Sequence, residues 1–203
     1  MKRKLGLLLL IGALCLTGCN SASNGKKEET NSIGTEVQQD KNDTNISQEE
    51  VSAEEQVYVL EFTDAVTTEG ETISSDIFAN AKLTMINVWA TFCGPCINEM
   101  PDLGEIAAEY DTSKFQMIGI VSDVVEDDLD MLAEAKEIIE ETNALYLHLL
   151  LNEELYVNLV GASDSVPTSY FFNEKGELLG YLVGSNTKEV WEGVINGLLE
   201  EME

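Results

Sequence analysis

Two cysteines separated by Gly94-Pro95 stand directly between an apolar run, Leu83 to Trp89 (L-T-M-I-N-V-W), and a helical pattern from Pro95 to Tyr110. No other feature of the 203 residues constrains the fold as tightly. The run reads as a buried strand. Pro95 suits the first turn of a helix, where its missing N–H costs nothing, and Gly94 permits a tight approach. Cys93 then falls at the helix N-terminus, where unpaired N–H groups and the helix dipole stabilise a thiolate. Cys96, one turn on, can reach the Cys93 sulfur, so one thiol is placed to attack and the other to resolve. A zinc site needs about four ligands, and beyond this pair the chain after its first eighteen residues offers only His148 and Cys19. A disulfide stabilises chiefly by closing a long loop, so a bridge across two residues makes a poor staple. Redox chemistry is favoured over both.

Around this junction the apolar period switches repeatedly between strand and helix, which argues for an α/β fold. Val57 to Phe62 and Glu71 to Ser74 read as short strands around Thr68-Glu69-Gly70, an N-terminal β-hairpin. Phe115 to Val121 (F-Q-M-I-G-I-V) reads as a second buried strand. Leu129 to Glu141 reads as a helix with Leu129, Leu132, Ala133, Lys136 and Ile139 or Glu140 on one side. Leu145 to Leu151 makes a strand and Glu153 to Val160 a short helix. Thr168 to Phe172 and Leu178 to Val183 form a hairpin turned at Asn173 to Gly176, and Lys188 to Glu200 is the closing helix. A central mixed sheet flanked by helices is expected.

The N-terminus has a different character. Lys2, Arg3 and Lys4 precede an apolar run from Leu5 to Leu16, then small residues before Cys19: a secretory signal layout, too short for a helix that must cross about 30 Å of hydrocarbon. From Asn20 to Gln56 the chain is too polar to bury a core. It is expected to be a disordered tether with a reach of roughly 30 to 35 Å, leading to one domain over residues 57–203. Three of the eleven basic residues lie in the signal, leaving eight against 38 acids. Such acidity excludes nucleic-acid binding. The sole arginine is Arg3, so the remainder has no guanidinium for bidentate phosphate recognition.

Leu16-Thr17-Gly18-Cys19 resembles the lipobox of bacterial lipoproteins. The resemblance implies removal of residues 1–18, lipidation of Cys19, and attachment to the cell membrane on its extracytoplasmic face; two acyl chains suffice for stable anchoring. V-W-A-T-F-C-G-P-C resembles the active-site signature of the thioredoxin superfamily. With the lipobox and tether, residues 57–203 resemble the membrane-anchored TlpA/ResA-type thiol-disulfide oxidoreductases. That resemblance implies a thioredoxin-like fold and a Cys93–Cys96 dithiol/disulfide cycle without a cofactor or metal. Pro101 falls where the family kinks its active-site helix. Val166-Pro167-Thr168 looks like the cis-proline segment, so that Pro167 would face the disulfide and the Val166 backbone would pair with an extended substrate. Trp89 holds an aromatic position four before Cys93, where packing competes with substrate contact.

Some positions depart from thioredoxin itself. Where thioredoxin has a buried carboxylate as proton acceptor, this chain has Asn87, and Phe92 replaces the tryptophan before the first cysteine. Glu99, three residues after Cys96 on the same helix, is the replacement candidate, and ResA-type reductases carry a functional glutamate at this offset. A carboxylate there would oppose thiolate formation and could shuttle a proton. The thioredoxin-like Gly-Pro insert, Glu99, and 29 acids against five lysines after residue 56 all point to a reductant. Implied substrates are disulfide-containing proteins, among them apocytochrome c, a methionine sulfoxide reductase or misoxidised proteins. The implied electron donor is a membrane thiol carrier of the CcdA/DsbD type. The alternatives are a disulfide-forming oxidase on the same fold and a Sco-like copper metallochaperone using Cys93, Cys96 and His148. His148 and Trp191 read as structural residues, and Glu126 to Asp130 as a solvated helix cap.

Overall fold

In the computed structural model, which describes residues 57–203, Leu83–Trp89 is the central strand of a five-stranded sheet. In chain order the elements are β1 (Ala65–Val66), β2 (Thr72–Ile73), β3 (Leu83–Trp89), α1 (Gly94–Glu109), β4 (Phe115–Val121), α2 (Leu129–Glu141), β5 (Leu147–Leu150), α3 (Glu153–Asn158), β6 (Thr168–Asn173), β7 (Leu178–Val183) and α4 (Lys188–Glu201). The export signal expected over residues 1–18 and the lipidated Cys19 and tether expected over residues 19–56 lie outside the described residues. Among the described residues no helix is long and apolar enough to cross a membrane.

The sheet order is β5-β4-β3-β6-β7. β3, β4 and β5 run parallel, while β6 is antiparallel to β3 and β7 to β6, so the sheet is mixed as expected. Burial on both faces explains why β3 and β4 are almost wholly apolar. Ile86 and Val88 pack with Ile118, Ile120, Phe172 and the N-terminal Leu60 and Phe62 on one side. Leu83 and Met85 pack with Leu103 of α1 and Trp191 and Ile195 of α4 on the other.

Two local expectations are corrected. Val57 to Phe62 is not a hairpin arm: Leu60 N–H donates to Gly176 O and Leu178 N–H to Tyr58 O, so this segment clamps the β6–β7 turn instead. The hairpin, β1 with β2, is made by Ala65–Val66 and Thr72–Ile73. In α2 the buried side is Ala135 with Met131, Leu132, Ile138 and Ile139, whereas Leu129 is exposed. The first turn of that helix overhangs solvent, capped by Asp128 Oδ1 accepting from Met131 N–H at 3.1 Å. Ser75–Asn80, unanticipated, is a 3₁₀ segment that buries Phe78 against Phe62 and Phe172.

Gly119 positions a side chain that matters below. It pairs with His148 across β4 and β5, and a Cβ there would overlap the His148 ring. Gly119→Ala is expected to cost about 2 to 3 kcal/mol by overpacking a fully buried site, read from urea midpoints; a loss under 0.5 kcal/mol would show that the imidazole can move aside.

Candidate active site

β3 ends at Trp89 and the chain turns through Ala90 to Phe92 into α1. Asp123, after β4, fastens that turn: its carboxylate accepts from Thr91 N–H at 3.0 Å and from Thr91 Oγ1 at 2.7 Å. Cys93 is the N-cap of α1, in extended backbone, with Pro95 in the first turn; its Sγ accepts from Cys96 N–H at 3.3 Å. The two cysteines are joined as a disulfide with Cα atoms 5.3 Å apart. Their environments differ: Cys93 is 6% exposed and Cys96 0%. Gly94 and Pro95 are exposed, and Phe92, 78% exposed, stands beside Cys93 as an apolar rim. Of the two, only Cys93 reaches solvent.

The antiparallel pairing of β3 with β6 sets Thr168 opposite Val88. Pro167 and Val166 therefore emerge at the same sheet end as the cysteines. The Val166–Pro167 bond is cis, and Val166 packs against the cluster that contains Cys93 and Cys96. Pro167 O accepts from Gly184 N–H at 2.8 Å. The Val166 N–H and C=O have no hydrogen-bond partner among the described residues, leaving a short backbone edge beside the disulfide. An apolar groove of about 350 Å³ begins at Ser165 and runs past Tyr170, Tyr181 and Val183.

Glu99 is not a surface glutamate. It is 3% exposed, on the inner side of α1. Asn186 N–H donates to its Oε2 at 3.0 Å and Asn87 Nδ2 to its Oε1 at 3.2 Å. Burial pushes its pKa up to about 6, opposed by those two donors and by Trp191; Asp102 adds a small upward push. Trp191 Nε1 acts from outside hydrogen-bonding geometry. Desolvation outweighs hydrogen bonding here, so Glu99 can exchange a proton near neutral pH. Three residues from Cys96 on one helix, it occupies a neighbouring part of the same buried surface.

Trp89, a substrate-binding candidate by sequence, packs into the cluster that holds the cysteines. It is fully buried, and its Nε1–H donates to His148 Nδ1 at 3.1 Å. The other ring nitrogen of His148 donates to Ala144 O at 2.9 Å, which fixes the neutral tautomer. With both nitrogens engaged, His148 has no free lone pair for copper, and among the described residues no three His, Cys, Asp or Glu side chains converge as metal ligands.

The Redoxin family profile matches residues 34–189. This chain belongs to the Redoxin family. Thiol-disulfide oxidoreductase ResA of Oceanobacillus iheyensis is 29% identical over 119 residues, 58% of this chain and 57% of that protein. Thioredoxin-like protein YneN of Bacillus subtilis is 29% identical over 114 residues, 56% of this chain and 64% of that protein. The match thus spans less than two thirds of the length of either relative. Among solved structures, a thiol:disulfide interchange protein of the thioredoxin family from Chlorobium tepidum superposes with a TM-score of 0.60, at 23% identity over 70% of this chain and 96% of that one. A thiol-disulfide isomerase from Corynebacterium glutamicum gives 0.57, at 20% identity over 71% of this chain and 97% of that one. The fold is thioredoxin-like, and the TlpA/ResA resemblance agrees with these relatives.

Two contributors in this Redoxin-family site left no mark in the sequence. Asn186 acts through its backbone N–H, which any residue but proline supplies. Ser169, whose Oγ accepts from Asn87 Nδ2 at 3.0 Å, becomes a partner only because β6 lies beside β3. Asn87 was noticeable as the missing proton acceptor; its role as a donor to Glu99 was not.

Proposed function

We propose that this chain is a lipid-anchored extracytoplasmic thiol-disulfide oxidoreductase that reduces disulfides in other proteins. The asymmetry of the cysteine pair carries the reading: a marginally exposed cysteine at a helix N-terminus is backed by a fully buried one. In the reduced protein, the Cys93 thiolate attacks one sulfur of a client disulfide. A Cys93–client S–S bond forms, and the first client sulfur leaves with the electron pair and takes a proton from solvent. The Val166 backbone pairs with the extended client beside Pro167, in the manner of strand addition. Cys96 passes its proton to Glu99, directly or through water, and attacks Cys93. The Cys93–Cys96 bond forms as the second client thiol departs, and the pair has lost two electrons to the client. Re-reduction falls to a membrane thiol carrier of the CcdA/DsbD type, since glutathione and thioredoxin are cytosolic systems.

Three features favour reduction over oxidation. Buried Glu99 opposes a stable thiolate, the acid-rich domain does the same at longer range, and the Gly-Pro insert matches thioredoxin. Apocytochrome c, a methionine sulfoxide reductase and misoxidised proteins all fit as clients. Equilibration of the Cys93–Cys96 couple with glutathione tests the direction. A potential near the roughly −270 mV of thioredoxin is expected; one near the roughly −120 mV of DsbA would make the chain an oxidase.

A further inference from the structure

Three buried polar atoms lack a hydrogen-bond partner among the described residues: Asn87 Oδ1, Tyr146 Oη and Trp191 Nε1. All three belong to residues around Glu99. Asn87 and Trp191 influence its charge, and Tyr146 feels it in turn. Unsatisfied groups of this kind call for an explanation when they surround one ionisable residue.

Asn87 is wholly buried on β3 and spends both Nδ2 protons, one on Glu99 Oε1 at 3.2 Å and one on Ser169 Oγ at 3.0 Å. That arrangement suits a carboxylate, whose two oxygens both accept, one from Asn87 and one from Asn186 N–H. It does not suit a carboxylic acid. Once Glu99 takes a proton, the oxygen that carries it becomes a weaker acceptor and its O–H needs an acceptor of its own, which an N–H does not offer. The Asn186 donor is main chain and fixed, whereas the Asn87 amide can rotate about its terminal torsion, which is broad and roughly two-fold. Rotation brings Oδ1, unpartnered until then, to where Nδ2 stood. It can accept from the Glu99 O–H, and the Ser169 hydroxyl reverses from acceptor to donor.

We infer, on the reading of Glu99 as acceptor of the Cys96 proton, that Asn87 is a reversing positioning residue: it donates to Glu99 when Glu99 is charged, accepts from it when neutral, and turns over at each transfer. The position that in thioredoxin holds the proton acceptor thus serves the acceptor here. The groups facing Glu99 are Asn87 on β3, Cys96 and Asp102 on α1, Tyr146 before β5, Ser169 on β6, Asn186 before α4 and Trp191 on α4. Asp102 is the other carboxyl group among them and acts on Glu99 only through charge. Trp191 favours the charged state and can only donate, so an acceptor for the neutral state has to come from Asn87 or the Tyr146 oxygen, and Asn87 is the one already bonded to Glu99.

The test is a pair of titrations on the full oxidised chain between pH 4 and 8, following the Asn87 side-chain amide by ¹⁵N–¹H NMR and the Glu99 carboxyl by ¹³C. The Asn87 amide signals should shift with the Glu99 midpoint, and the nuclear Overhauser contact from the Asn87 Nδ2 protons to Ser169 should fade as Glu99 protonates. If Glu99 titrates while that contact persists unchanged, the turnover is wrong and Glu99 remains an acceptor. If Glu99 keeps one charge across the range, both fall together. Asn87→Leu keeps the shape but can neither donate nor accept, so the resolving step, read by single-turnover client release at pH 7, should slow about tenfold, the worth of one hydrogen bond to a charged group. An unchanged rate would overturn the inference.

Discussion

Cys93→Ser abolishes reduction of a disulfide-bearing polypeptide such as insulin, whereas Cys96→Ser captures it as a covalent mixed disulfide. Serine cannot supply a nucleophile of comparable strength, because the thiolate carries the reactivity. Cys96 cannot substitute, being fully buried beneath the first turn of α1. A fall on the order of a thousandfold or more is expected for Cys93→Ser. With Cys96→Ser the first attack is retained and the second lost, so a band of enzyme plus client should accumulate on a non-reducing gel and vanish with dithiothreitol. Trapping by the Cys93→Ser variant, or equal residual turnover in both, would reverse the assignment of attacking and resolving thiols.

The second large effect is on stability in acid and comes from His148. Burial pushes its pKa down to about 4 against an ordinary 6.5, only partly offset by its hydrogen bond to Ala144 O. The folded protein therefore holds the ring neutral where the unfolded chain would protonate it. Stability from this group is fully present above about pH 6.5 and is lost as pH falls towards 4. Two and a half units correspond to about 3 kcal/mol. Glu99 acts the other way. Its folded pKa, raised to about 6 from 4.5, makes the folded state the better proton binder between those values, so acidification through that window stabilises by about 2 kcal/mol. Urea unfolding of the oxidised protein at pH 7 and pH 4 should show His148→Gln losing about 3 kcal/mol less than the parent on acidification. Parallel pH profiles for the two proteins would mean that the imidazole is charged or solvated in the fold.

Much of this site could be read from the chain, and particular residues show where that stopped. Cys93 and Cys96 were legible because Pro95 and Gly94 dictate a helix start and the preceding apolar run dictates a strand. The bounds of β3, β4 and α2 were legible because two-sided burial or a helical period leaves little freedom. Alternation in Val57 to Phe62 says that the segment wants an edge, not which edge, and the β6–β7 turn offers one. Period alone puts Leu129 on one side with Leu132 and Ile139, but a helix overhangs at its ends and its first turn meets solvent. Glu99 shows the same gap more sharply. One acid among 38 carries no sign of being buried, and only the approach of β3, β6 and the Gly184–Thr187 loop takes it out of water.

The chain by itself determined the chemistry: two cysteines at a strand-to-helix junction, one favoured by a helix N-terminus, in a domain without arginine and heavy with acid. These are local properties, set by covalent spacing, backbone preference and composition. The tertiary structure alone decided how that chemistry is controlled. Trp89 and His148 lie 59 positions apart yet share a buried hydrogen bond. Asn87 reaches Glu99 across the sheet-to-helix interface and Ser169 across a strand pair. Desolvation depends on every element that closes over a group, and no window of sequence contains that information.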